Sequence, residues 1–142
     1  MREREFLARL TPLLTTPRAI KKLTNLYRLL RLSVPRPDLD DFLGGEAGGP
    51  YQAAALLLAA LTGTPQEARA LLTSLDDRPE DDIVDALRTI HNGLAGRLAE
   101  LILAVRKEVP VHGDTATYRR WATAVARYGF ETYDLFTGAD RR

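Results

Sequence analysis

Tyr51 to Gly63 reads YQAAALLLAALTG, and from Ala53 to Leu61 it holds nothing but alanine and leucine. Both are strong helix formers, and the brackets on either side, Gly48-Gly49-Pro50 and Gly63-Thr64-Pro65, mark where such a helix starts and stops. A surface helix keeps its apolar residues to one stripe. This one is apolar on nearly every side, so the spacing predicts a helix over 51–61 at the centre of the fold, wrapped by others. It is about half the length of a membrane span, which needs roughly 20 apolar residues. The rest of the chain is therefore read for helices that present one apolar face inward.

Upstream, Phe6, Leu10, Leu13 and Leu14 share one side of a helix from about Arg2 to Leu14, inside which Pro12 ends or kinks the pattern. In "TTPRAIKKLTNLYRLLR", Thr15 to Arg31, Thr16 is a natural N-cap and Pro17 takes the first helical position. Ile20, Leu23, Tyr27, Leu30 and Val34 form the seam of that helix, and Pro35 and Pro37 close it. "RPDLDDFLGGEAGGP" is acidic and rich in glycine, which predicts a flexible loop over 35–50 with at most one helical turn around Leu39 to Leu43.

Downstream, Thr64, Pro65 and Glu67 make the start of a capping box. A helix begins near Glu80 and runs through Ile83, Leu87, Ile90, Leu94, Leu98, Leu101 and Val105, as one long helix or as two joined at His91-Asn92-Gly93. Asp114 caps a last helix with Tyr118, Trp121, Ala122, Val125 and Tyr128 or Gly129 inward. No run alternates with period two for long enough to make a strand, and Phe130–Phe136, "FETYDLF", is the one marginal candidate. These signals predict an all-α, single-domain bundle of six or seven helices. Its parts are a basic helical hairpin over 1–34, the loop over 35–50, a helical core over 51–136 and a frayed tail over 137–142.

With 142 residues the chain is about one domain long, and with no cysteine it has neither disulfides nor thiolate metal sites. Charges interrupt the N-terminal "MREREFLARL" where a signal peptide needs an apolar run, so the expectation is a cytoplasmic protein with no membrane segment. The net charge of +1 conceals segregation: residues 1–36 sum to +7, residues 37–85 to −9 and residues 86–142 to +3. Such blocks either attract one another across the surface, or the basic face meets phosphate while the acidic one meets a protein.

Nothing in the sequence has the spacing of an active site, so the expectation is a protein that is not an enzyme. His91 and His112 lie in unrelated contexts without partners at metal-ligand spacing. "DDRPEDD" lacks the glycine and final glutamate of a calcium loop, and the glycines of "LGGEAGGP" lead into no Gly-Lys-Ser/Thr, so the chain has no phosphate-cradling loop. The expectation is no metal and, in isolation, no cofactor.

The basic helix is the remaining signal. At about 100° per residue, Arg18, Lys21, Lys22, Asn25 and Arg28 fall within an arc of roughly 120°, opposite the apolar seam. A charged face is commonly just a solvated face. It also suits phosphate, in a nucleic-acid backbone or at the end of a nucleotide held by a neighbouring domain. Arg18 sits in the first turn, where a side chain and backbone N–H groups address one anion together.

These residues carry a resemblance. "FLARLTPLLTTPRAIKKLTNLYRLLR", Phe6 to Arg31, resembles the helical segment that follows the P-loop core in KAP-type and related bacterial signalling NTPases. There a Pro-Arg-x-x-Lys-Arg/Lys-x-x-Asn pattern begins a lid helix. Here Pro17, Arg18, Lys21, Lys22 and Asn25 supply it, with Lys22 where arginine is commoner. "YQAAALLLAALTGTPQEA" is similar to the apolar helix and Thr-Gly-x-Pro turn that follow, and "YRRWATAVARYGFETY" to the closing segment, with Tyr128 and Gly129 as departures. The resemblance implies that Arg18 acts like the sensor-2 arginine of AAA+-like ATPases, reaching a nucleotide's outer phosphates. The family's Walker motifs and α/β core are missing from these residues.

The resulting expectation is a non-enzymatic helical lid or regulatory module of a P-loop NTPase system. Arg18, Lys21, Lys22, Asn25 and Arg28 would touch nucleotide phosphate or the partner's core, and ATP would bind only together with that partner. The alternatives are a nucleic-acid-binding protein using the same face with Arg2, Arg4 and Arg9, or a purely structural or oligomerisation remnant.

Overall fold

The computed structural model describes residues 2–14, 16–44, 49–75, 82–90 and 96–140, with side chains from Glu3 to Arg127 among them. In order these form α1 (Arg2–Arg9), a 3-10 turn (Thr11–Leu13), α2 (Pro17–Ser33), α3 (Arg36–Leu43) and α4 (Pro50–Gly63). Then follow α5 (Pro65–Leu75), α6 (Ile83–Arg88), α7 (Gly96–Arg106) and α8 (Thr115–Asp140). The described backbone is all-α, with one isolated bridge between Asp82 and Asp114. The Phe130–Phe136 stretch continues α8 as helix, and that helix runs on through Asp140, past the expected start of a tail at 137.

Eight helices among the described residues exceed the expected six or seven. Ile83 to Val105 is divided between α6 and α7, one of the two arrangements the sequence left open, while the His91-Asn92-Gly93 joint lies outside the described residues. The eighth is α3, in the segment expected to be loop. Pro37 is tolerated in its first turn, Asp38 faces the positive helix end, and Phe42 anchors it. That ring is buried between Tyr51 (centroids 6.4 Å apart) and Trp121 (4.9 Å), so tertiary burial supplies what an eight-residue helix lacks alone.

α4 is the centre. Every residue from Tyr51 to Leu61 is buried, and the helix packs against α8, α2, α5, α3 and α1. Each leucine so buried contributes about 1.5–3 kcal/mol to the fold. The buried amide of Gln52 is used at both ends: Nε2 donates to the Pro110 carbonyl (3.0 Å) and Oε1 accepts from the His112 N–H (2.9 Å). The apolar helix thereby holds the extended segment that leads into α8. There the buried Tyr118 hydroxyl donates to the His112 carbonyl (2.6 Å), and burial raises its pKa.

Other ends are tied in the same manner. Pro12 stops α1 early and the chain tightens into the 3-10 turn, keeping Phe6, Leu10, Leu13 and Leu14 buried as the sequence predicts. Thr64, expected to open a capping box, instead donates its hydroxyl back to the Ala60 carbonyl (3.1 Å) at the end of α4. Asp82 caps α6 by accepting from the Val84 N–H (3.0 Å) and takes the Arg106 guanidinium in two hydrogen bonds of 2.5 and 3.1 Å. Asp114 caps α8 through Ala116 N–H (3.0 Å).

Candidate functional site on the outer face of α2

α2 begins as its sequence dictates. Thr16 has extended backbone and its Oγ1 accepts from the Ala19 N–H (3.1 Å), with Pro17 in the first turn. Its buried residues are Leu23, Leu26, Tyr27 and Leu30, packed against α4. This differs from the expected seam. Ile20 is 40 % exposed and Val34 only half-buried, while Leu26 is in the core. The inward face is turned toward Leu26 because α4 lies under that side, whereas the open side by Ile20 faces α1.

The five predicted residues do share one side. Arg18, Lys21, Asn25 and Arg28 are exposed and Lys22 is half-buried. Among the described residues Arg18, Lys21 and Arg28 make no ion pair, in contrast to Arg31, whose Nε donates to Glu3 at 2.8 Å. The face thus carries uncompensated positive charge close to water.

The first turn, however, is a poor anion cradle. Pro17 has no N–H, the Ala19 N–H is taken by Thr16 Oγ1, and the Ile20 N–H donates to the Thr16 carbonyl (3.2 Å). Of those donors only the Arg18 N–H is left, so the expected joint action of side chain and several backbone groups is corrected to a side chain with one N–H. The same threonine and proline that make the helix start cleanly consume the donors an anion would use.

Two residues on this face escaped the sequence reading. Leu29 is 50 % and Leu32 80 % exposed. At about 100° per residue both lie within the arc that holds Arg18 to Arg28, so helical projection was enough to find them. The outer surface of α2 is therefore basic toward its start and apolar toward its end.

Glu3 of α1 accepts from both the Tyr27 hydroxyl and Arg31 Nε, tying the start of α1 to the end of α2. Burial, then the bond to Glu3, raises the Tyr27 pKa, so this phenol stays protonated and donating. His112, whose Nε2 lies 2.9 Å from Thr117 Oγ1, is taken up by the α8 start; His91 lies outside the described residues. Among the described residues no group of three or more His, Cys, Asp or Glu is placed to hold a metal ion, and no helix is long and apolar enough to cross a membrane.

No family model, curated protein or solved structure matches this chain.

Proposed function

We propose that this chain is a non-enzymatic helical lid or regulatory module that docks through the outer face of α2 onto an acidic protein surface. We further propose that the partner is the core of a P-loop NTPase. The observation that supports docking on a protein is Leu32, 80 % exposed on the same face as Arg18, Lys21 and Arg28, which make no ion pair among the described residues. Protein interfaces combine apolar anchors with arginine at their centre and place other charge at the rim. A phosphodiester backbone offers nothing to two leucines, which is why the nucleic-acid reading ranks second. The choice of an NTPase is supported by the Pro17, Arg18, Lys21, Lys22, Asn25 pattern. In this reading Arg18 reaches a phosphate of nucleotide bound by the partner, and ATP binds only when both chains are present.

Calorimetric titration with a P-loop NTPase encoded beside this chain tests the proposal. Leu29→Ser/Leu32→Ser and Lys21→Glu/Arg28→Glu should each weaken binding about tenfold or more, equivalent to ~1.4 kcal/mol. Loss with the charge variant alone, together with duplex DNA binding that falls steeply with salt, establishes the nucleic-acid reading instead. Wild-type affinity for both variants, or no binding to the NTPase, overturns the proposal.

A further inference from the structure

Beside the outer face of α2, and sharing Arg28 with it, α1 and α2 both lie on α4 and leave a groove of about 480 Å³ between them. Its two ends differ in chemistry. One is apolar, lined by Leu7, Ala8, Ile20 and Leu23. The other is charged, lined by Glu3, Arg4, Arg28 and Arg31. Glu3 accepts from both Tyr27 and Arg31 at Oε2, so its charge is paired with Arg31, and the three side chains bridge the groove at this end. Arg4 and Arg28 are exposed and make no ion pair among the described residues.

We propose that this groove binds an amphiphilic anion, an apolar chain ending in one carboxylate or phosphate. The apolar part lies over Leu7, Ala8, Ile20 and Leu23, and the head group is held by Arg4 and Arg28. Size decides between this and a protein partner. Small-molecule sites span roughly 300–1,000 Å³, which includes this groove, whereas a stable protein interface engages about 20–30 residues a side. The bridge from Glu3 to Tyr27 and Arg31 also suits a ligand that terminates there over a helix running through. Charge selects the sign, since the guanidiniums outnumber the one carboxylate, whose charge is paired with Arg31. An apolar residue as open as Ile20, at the edge of such a groove, is what the chain of the ligand would cover.

The test is a titration of the full chain with octanoate, followed by methyl and amide NMR, with octan-1-ol and octylammonium as neutral and cationic probes of the same length. Saturable octanoate binding about tenfold tighter than octan-1-ol, with shifts centred on Leu7, Ala8, Ile20 and Leu23, is the expected result. Ile20→Glu should abolish it, and Arg4→Gln should erase most of the preference for the anion; both positions are exposed, and thermal melts show whether the variants are folded. If Ile20→Glu fails to fold, Ala8→Glu, also at an exposed position, replaces it. Equal affinity for octanoate and octan-1-ol, no saturation, or binding that survives the glutamate variant overturns the proposal. The Leu29→Ser/Leu32→Ser variant should bind octanoate as the wild type does, which separates this site from the docking face.

Discussion

Gly63 owes its place to the turn packed on it: a Cβ there would fall 1.7 Å from the Leu13 carbonyl oxygen. Gly63→Ala must therefore push the 3-10 turn off α4, and we expect a loss of about 3 kcal/mol, read by chemical denaturation with Trp121 fluorescence as the reporter. At Asp82 the cause is charge. The paired Arg106 guanidinium holds this carboxyl below its ordinary pKa, chiefly through the hydrogen bonds between them. A depressed folded pKa means that the stabilisation is complete above the unfolded value of about 4 and is lost as pH falls through the folded one. Because the pair is partly exposed to solvent, its worth is about 1 kcal/mol. Asp82→Asn keeps the cap and removes the charge, so its melting temperature should lie below that of the wild type at about pH 6 and converge on it at about pH 2. None of this was legible in the sequence, where Gly63 reads only as a stop signal and Asp82 as one acid among several.

At the scale of the element, the apolar run of α4 was legible because its composition alone forbids a solvent face. The start of α2 was legible too, since Thr16 and Pro17 act locally. What periodicity missed was rotation. Ile20-Leu23-Tyr27-Leu30 and Leu23-Leu26-Tyr27-Leu30 both satisfy helical spacing, and only the position of α4 chooses between them. Leu26→Ala should accordingly cost about 2–5 kcal/mol and Ile20→Ala less than about 1 kcal/mol, a contrast that urea unfolding resolves directly. α3 was missed for a related reason: its glycine-rich flank signals a loop, while its stability comes from Phe42 meeting Tyr51 and Trp121. Phe42→Ala should release α3, lower stability by about 3–5 kcal/mol and shift Trp121 emission to longer wavelength.

Across the whole molecule, the charge blocks seen in sequence resolve into particular contacts. Asp82 with Arg106 joins the acidic middle of the chain to its C-terminal part, and Arg9 with Glu108 (3.5 Å) joins the first helix to the segment after α7. Among the described residues the outer face of α2 keeps Arg18, Lys21 and Arg28 out of such pairs and sets Leu29 and Leu32 beside them. The sequence located the five polar positions of that face, and helical projection places Leu29 and Leu32 among them; what the assembled bundle adds is how far the two leucines are exposed, which the position of α4 under the opposite side decides. The helix thus presents three kinds of surface: one side holds the core, a second walls the groove beside α1, and a third is exposed, with Arg28 on the border between the last two.

Because the chain has no cysteine, a label can be placed on that third side alone. The most direct measurement is to attach an environment-sensitive fluorophore to Leu32→Cys and, separately, to Arg97→Cys on the exposed surface of α7, and to titrate each with the P-loop NTPase core. Docking through α2 predicts a saturable blue shift at position 32 that acidic peptides or high salt weaken, with position 97 silent. A response at position 97 with none at position 32 would contradict it.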